Sequence, residues 1–218
     1  MPKKLKVGCA ECGLMSCYRR EKDFPPFCLT QNGDAKELAE AVALYSGDGE
    51  DGRVARAAAE VEGTYYGKLT RVEEIIAFAN RIGARRIGIA TCIGLMEESR
   101  LFGKILKLHK LDFFTAICKV GSVDKTEIGL PEKIKVAPGR HESICNPILQ
   151  ARILNAEKTD LNVIVGLCVG HDSLFIKHSR ALVTTLITKD RVLAHNPAGA
   201  LYTSGFYYQR LLSPQGKL

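Results

Sequence analysis

Several familiar signatures are missing from this 218-residue chain. No apolar run approaches the ~18 residues that a membrane-spanning helix requires. The opening MPKKLKVGCAEC is basic but leads into no apolar stretch, so a secretory signal is not expected. No G-x-G-x-x-G follows a strand-like run, which disfavours hydride chemistry on a dinucleotide. No G-x-x-x-x-G-K-[ST] supports use of ATP or GTP, and no G-x-S-x-G marks a serine nucleophile. The chain has no repeat of fixed period and no low-complexity segment. Its basic residues are scattered, with pairs at Arg19–Arg20 and Arg85–Arg86 and no stripe interleaved with aromatics. Nucleic acid is therefore disfavoured as a partner. The expectation is a cytoplasmic protein with no membrane contact, in a compartment where thiols stay reduced.

Against these absences stand eight cysteines. In a reducing compartment they point to metal or thiol chemistry rather than to disulfides. The formal charge of +7 shrinks if they bind metal. Two four-thiolate sites, each on a divalent ion, would leave about +3.

Four of the cysteines crowd residues 1–33, as Cys9, Cys12, Cys17 and Cys28. Two residues between Cys9 and Cys12 let both sulfurs face one ion, and Gly13 allows the tight turn that aims backbone N–H groups at sulfur. Pro25 and Pro26 stiffen the approach to Cys28. Zinc and an iron–sulfur cluster both accept four thiolates, and the spacing matches neither common ferredoxin pattern.

Residues 34–83 read as helices. Asp34 with Glu37 forms a capping box before an apolar face of Leu38, Ala41, Val42 and Tyr45. The acidic, glycine-rich residues 46–52 read as a solvated turn. A second helix runs over 53–66. Thr70 with Glu73 caps a third that stops at Gly83. From residue 84 onward strands alternate with helices, which predicts a three-layer, Rossmann-like, mostly parallel sheet with right-handed crossovers. The strands fall at 86–92, 113–120 and 162–167, and the helices at 96–110, 147–157 and 172–178. Asn146 and Pro147 start the second of these helices, and Asp172 or Ser173 caps the third. Residues 121–142 form a loop-rich flap, and 181–188 with 191–194 read as an edge hairpin. The tail over 200–212 packs as a helix or against a partner.

An apolar strand running into a cysteine occurs at Cys92, Cys118 and Cys168, and Cys145 precedes a helix start. In an open α/β sheet ligands sit outside the carboxyl ends of strands. All four distal thiols are therefore expected at one edge, against the plainer reading that each simply packs. His171 and Asp172 lie beside Cys168, where a helix start favours thiolate. His171 is a candidate for proton transfer. His195 sits at a comparable loop position, whereas His109 and His178 read as structural.

Two motifs together, C-A-E-C-G-L-M-S-C with the later Cys28, and G-L-C-V-G-H-D-S-L-F-I-K-H-S followed by L-A-H-N-P, carry a resemblance over essentially the whole chain. The chain resembles an uncharacterised, predicted metal-binding family, a domain of unknown function, of anaerobic bacteria and archaea. The resemblance implies a metal at Cys9, Cys12, Cys17 and Cys28 and no established reaction. It also resembles, more loosely, enzymes that hold an iron–sulfur cluster by three cysteines at the edge of an α/β fold.

The expected organisation is a cysteine-rich metal knuckle over 1–33 and an α/β domain over 34–218. The expected function is that of a metal-binding protein with zinc or an iron–sulfur cluster on the N-terminal four cysteines. A second metal, cluster or reactive site is expected on Cys92, Cys118, Cys145 and Cys168, with Cys168, His171 and Asp172 as its catalytic candidates. An unknown small-molecule substrate or redox partner would complete a redox or metal-dependent enzyme, and a homo-oligomer is compatible with the chain. The competing expectation is a zinc-knuckle module for nucleic acid or protein whose distal cysteines only pack.

Overall fold

In the computed structural model, residues 7–213 are described; the basic start read for a leader, residues 1–6, lies outside them. Two units are distinguished, Met1–Glu60 and Val61–Leu218.

The first unit is largely helical. A 3-10 turn over Cys9–Glu11 is followed by α1 (Leu29–Asn32) and α2 (Ala35–Ser46). α3 (Glu50–Tyr65) begins here and carries the chain across the division between the units. Asp34 caps α2 by accepting the Lys36 N–H, so the expected reciprocal bond with Glu37 is not what holds this end. The apolar face read in α2 is not a buried one. Leu38, Val42 and Tyr45 are all more than half exposed. Helical spacing of apolar residues shows that they share a stripe, and nothing in α2 itself supplies a surface to cover it.

The second unit carries the sheet. α4 (Arg71–Ile82) opens with the expected Thr70–Glu73 capping box and ends at Gly83, which takes a left-handed φ of 76°. The remaining elements are β1 (Arg86–Thr91), α5 (Met96–Leu108), β2 (Asp112–Ile117), α6 (Pro147–Ala156), β3 (Leu161–Val165), α7 (His171–His178), β4 (Leu182–Ile187) and the short α8 (Ala198–Tyr202). The sheet is entirely parallel, in the order β2-β1-β3-β4.

Side chains of the central strands alternate between two apolar layers. On one face Ile87, Ile89, Val163 and Val165 pack with Ile75, Ile76 and Ala79 of α4 and Phe102 and Leu106 of α5. On the other, Ala90, Ala116 and Ile164 pack with Ala151 and Leu154 of α6 and Phe175 of α7. The architecture is a three-layer α/β sandwich, as the alternation of elements predicts. Gly88 permits the close approach of β3, since a Cβ there would come within 1.9 Å of Asn162 Oδ1.

Three expectations are corrected. The apolar run at 181–188 does not turn back into a hairpin. β4 pairs with β3 in parallel, and residues 191–194 are a turn held by Asp190 Oδ1, which accepts the N–H groups of Val192 and Leu193. The helix after Cys168 starts at His171 with Gly170 as its cap, and neither Asp172 nor Ser173 caps it. Of the tail over 200–212, read as a helix or as packing against a partner, only 200–202, the end of α8, is α-helical, with a 3-10 turn at Gln209–Leu212.

Candidate thiol centre at the sheet edge

The strand order makes β1 and β3 the point where successive connections leave in opposite directions. β1 leads through α5 to β2 on one side, and β3 leads through α7 to β4 on the other. The crevice beyond the carboxyl ends of such a pair is where open α/β sheets bind ligands. Cys92 directly follows β1, Cys118 directly follows β2, and Cys168 lies three residues beyond β3.

Backbone bonds bring these segments together. Cys92 N–H donates to Val165 O at 3.1 Å and Cys118 N–H to Thr91 O at 2.8 Å. Asn146 N–H donates to Cys118 O at 2.7 Å, which draws in the segment before α6 that carries Cys145. Asn146 also caps α6 through the Leu149 N–H, with Pro147 in the first turn, as expected. Below the thiols lies Gln150 of α6, fully buried, whose Nε2 donates to Thr91 O at 3.1 Å and Ala116 O at 2.7 Å. One side chain thus ties the ends of β1 and β2 to the helix behind Cys145.

Three thiols from three segments meet. Cys92 and Cys118 share one buried cluster with Cys145 packed against it, close enough for Cys118 to shift the titration of both. The Cys118 sulfur also accepts the Ile93 N–H at 3.3 Å. Cys118 is 1% exposed and Cys92 6%, whereas Cys145 and Cys168 are half-buried. Cys168 joins from the rim through Arg191, whose Nη2 donates to its sulfur at 3.0 Å.

The electrostatics follow from this nesting. The Cys118 thiol, acting as donor, holds Cys92 down to about 5; Gly94 N–H and Lys189 help against the cost of burial. Cys118 likewise holds Cys145 down to about 5, with Lys119 and His171 adding their fields against burial. Cys118 itself is pushed far above the ordinary thiol range by the facing Cys145 and Cys92 sulfurs and by burial. A single S–H donates to one sulfur at a time, so the three titrate as one unit. Each of the outer thiols has its own cation: Lys189 by Cys92, Lys119 by Cys145, Arg191 by Cys168.

The thiols open into a cleft of about 340 Å³. Cys145, Cys168, His171, Lys119 and Arg191 line it, together with Ile128, Leu130 and Val136 from the loop after β2. His171 Nδ1 is buried with no hydrogen-bond partner among the described residues. That loop, the expected flap, is pinned by its own ions. Lys135 Nζ lies 2.8 Å from Asp124 and 2.9 Å from Glu132, and Lys125 pairs with Glu142. His141 bridges its two limbs, with Nδ1 3.3 Å from Asp124 Oδ2 and Nε2 2.9 Å from Ser143 Oγ.

Of the sequence-predicted residues, Cys92, Cys118 and Cys145 are brought into contact, and Cys168 and His171 stand at the same cleft. Asp172 is not in the cleft wall; its carboxylate accepts the Ser173 N–H at 2.8 Å. His195 is occupied elsewhere, with Nδ1 accepting the Asp190 N–H at 3.2 Å. Lys119, Lys189, Arg191 and Gln150 were not anticipated. The adjacency of Cys118 and Lys119 was the one local signal for any of them.

The N-terminal cysteines are held by their own turns. Cys12 sulfur accepts the Met15 N–H at 3.4 Å, a bond of the kind metal-bound thiolates accept. The Cys28 thiol lies below its ordinary range; against desolvation, hydrogen bonds from the first turn of α1, at Gln31 and Thr30, favour the thiolate. Among the described residues, no three His, Cys, Asp or Glu side chains are already gathered as the ligand set of one ion. The donor chemistry at both places suits a soft ion. At the sheet edge the thiols meet one another rather than ring a common point.

No helix among the described residues is long and apolar enough to cross a membrane. No solved structure matches this chain. The protein named "Uncharacterized protein MJ0455" of Methanocaldococcus jannaschii is 42% identical over 206 residues, which cover 94% of this chain and 98% of that relative. A family model described as "Protein of unknown function (DUF1847)" matches residues 28–186, a stretch that includes Cys28 and all four sheet-edge cysteines, and the chain belongs to that family.

Proposed function

We propose that the protein carries a thiolate centre at the carboxyl edge of its sheet, built on Cys92, Cys118 and Cys145 with Cys168 at the rim, and that this centre binds a soft metal ion or an iron–sulfur cluster. The observation that carries the reading is the packing of Cys118 with thiols from two other segments, Cys92 and Cys145, in one cluster. Thiolates are the preferred ligands of zinc and of iron–sulfur clusters. The cations beside Cys92, Cys145 and Cys168 offset the charge that gathering thiolates creates, and the Ile93 N–H on sulfur is a tuning bond of the kind such centres use. Placement at the β1/β3 crevice favours a site that meets a small substrate or redox partner over a purely structural ion. The N-terminal Cys9, Cys12, Cys17 and Cys28 form a second, independent site in this reading, for zinc or a cluster. It rests on their spacing and on the N–H bond to Cys12.

The test is metal content and visible absorption of protein purified without oxygen. Wild type is compared with a variant in which the four sheet-edge cysteines are serine, and with one in which Cys9, Cys12, Cys17 and Cys28 are serine. Each variant is expected to lose its own share of the metal and keep the other's. Metal content unchanged by the sheet-edge serines would overturn the reading of that centre.

A second reading draws on the thiols' direct contact with one another. Three thiols that touch without ringing an ion suit a dithiol pair with a third, resolving thiol. Cys118 would form a disulfide with Cys92 or Cys145, the pair giving up two protons and two electrons to a disulfide oxidant. Mass mapping after exposure to oxidised glutathione separates the readings: a metal-free protein that closes one of those two disulfides favours thiol exchange.

A further inference from the structure

The cleft over the thiols holds more positive charge than its own carboxylate answers. Of its three cations, Lys125 is paired with Glu142. Lys119 donates to Ser143 O at 2.6 Å and Arg191 to Cys168 sulfur, and neither has a carboxylate partner among the described residues. A guanidinium has five N–H donors in a fixed fork, and one bond to sulfur leaves the rest of that fork available. The rest of the lining is largely aliphatic, from Ile128, Leu130, Val136 and Ile144, and the buried His171 Nδ1 of the same cleft has no hydrogen-bond partner among the described residues. A volume of about 340 Å³ lies within the range of small-molecule sites. Serving as counter-ion to a thiolate does not explain why the same cleft is lined by four aliphatic side chains. A ligand with an anionic head and an aliphatic body explains both.

We propose that this cleft takes a small aliphatic carboxylate, its head held by Arg191 and Lys119 and its body against Ile128, Val136 and Ile144, so that the ligand lies against Cys145 and Cys168. The proposal deepens the thiol-centre reading and rests on it for what the ligand meets there. Arg191 suits a carboxylate because the fork matches both oxygens at once. Val136 is 89% exposed, so it belongs to a wall that a ligand would dry on binding.

The experiment is calorimetric titration of the protein as purified with 3-methylbutanoate, acetate, 3-methylbutanamide and inorganic phosphate. The expected order has 3-methylbutanoate at least tenfold tighter than acetate and than the neutral amide. Arg191→Gln and Lys119→Gln should each weaken it tenfold or more, with unchanged circular dichroism and melting temperature. No saturable binding, equal binding of the amide, or binding untouched by both substitutions overturns the proposal. Phosphate binding tighter than 3-methylbutanoate overturns it too, because the apolar wall would then have no role. Metal analysis of the same samples keeps the two ideas apart. A metal-loaded protein that ignores carboxylates defeats only the ligand assignment. A metal-free protein that binds them defeats only the metal centre.

Discussion

Arg191 reaches back across the sheet edge to place Nη2 3.0 Å from the sulfur of Cys168, linking the turn after β4 to the turn after β3. The Cys168 sulfur holds the guanidinium above its ordinary range, so the cation stays charged at every accessible pH. A fixed charge at that place shapes the behaviour of the whole rim.

Cys145 is the thiol where that behaviour is most easily read. It is half-buried in the cleft wall and its thiol is held down to about 5 by Cys118, with Lys119 and His171 nearby. An ordinary thiol near pKa 8.5 loses roughly 80-fold of its thiolate between pH 8 and pH 6. A depressed one keeps its thiolate above its own value and loses it only as pH falls through that value. In metal-free protein, iodoacetamide should therefore modify Cys145 almost as fast at pH 6 as at pH 8. Cys118 should resist at both, being protonated and buried. Peptide mapping by mass spectrometry checks this, and a Cys145 profile that falls like that of unfolded protein would defeat it.

Gln150 is the support beneath the site. Its Nε2 feeds Thr91 O and Ala116 O, and Thr91 O has a second donor in Cys118 N–H. Gln150→Leu keeps the size and removes the donor, leaving the buried Ala116 carbonyl without this bond. The expected loss of stability is about 1–3 kcal/mol by urea unfolding. Because Gln150 fixes the strand ends that carry Cys92 and Cys118, the same variant should also change the rate of Cys145 alkylation, which a distant packing defect would leave alone.

The loop over the cleft has its own pH dependence. Lys135, hydrogen-bonded to Asp124 and Glu132, holds both carboxylates below their ordinary range, and Lys125 does the same for Glu142. Carboxylates depressed by folding stabilise the loop above the ordinary range near pH 4. That stability drains as pH falls through their lowered values. Lys135 is raised, so its share is full below its ordinary value near 10.5 and drains only as pH rises through the raised one. Amide exchange of Val136, Ala137 and Gly139, whose N–H groups donate to Glu142 and Glu132, should show protection that holds from about pH 5 to about pH 10 and fails on the acid side first. Asp124→Asn should remove much of it at neutral pH. Protection in that variant equal to wild type would mean the ion network does not order the loop.

Much of this was legible in the chain. β1, α5, β3 and the start of α6 announce themselves by apolar runs, helical spacing and Asn146-Pro147, and parallel alternation alone puts the cysteines that follow β1, β2 and β3 at one edge. The hairpin reading failed because Lys189-Asp190 has turn chemistry whether the chain turns back or simply turns away. Only the pairing of β4 with β3 decides, and that is not local. The cations of the site were illegible for the same reason. Lys189 and Arg191 follow β4, and their approach to thiols after β1 and β3 is a product of strand order. The α2 stripe shows the opposite failure, a pattern with helical spacing whose residues remain exposed.

Gly166 offers the sharpest test that strand-end geometry makes the site. It directly follows β3, two residues before Cys168, with φ of +70°. A Cβ there would come within 2.0 Å of Leu95 Cδ1 and 3.6 Å of Lys189 Cδ. Alanine in the left-handed region costs about 1–2 kcal/mol by itself. Displacing the buried Leu95 adds overpacking of about 1–3 kcal/mol. Gly166→Ala should thus lower stability by about 2–5 kcal/mol in urea unfolding, the sum of those two costs. Leu95 follows Cys92 in the β1 turn, and Lys189 stands beside Cys92, so the displacement passes directly into the thiol contacts. Leu95→Ala leaves a cavity of its own, so the readout is the double-mutant cycle: because it also relieves the clash, the pair should cost less than the sum of the two single variants, whereas a purely conformational cost at residue 166 would simply add. Thiol reactivity should follow the same pattern: altered at Cys145 in Gly166→Ala and restored toward wild type in the pair. A pair whose cost equals the sum of the single variants, with Cys145 reactivity no nearer to wild type, would show that the contact with Leu95 does not couple this turn to the site.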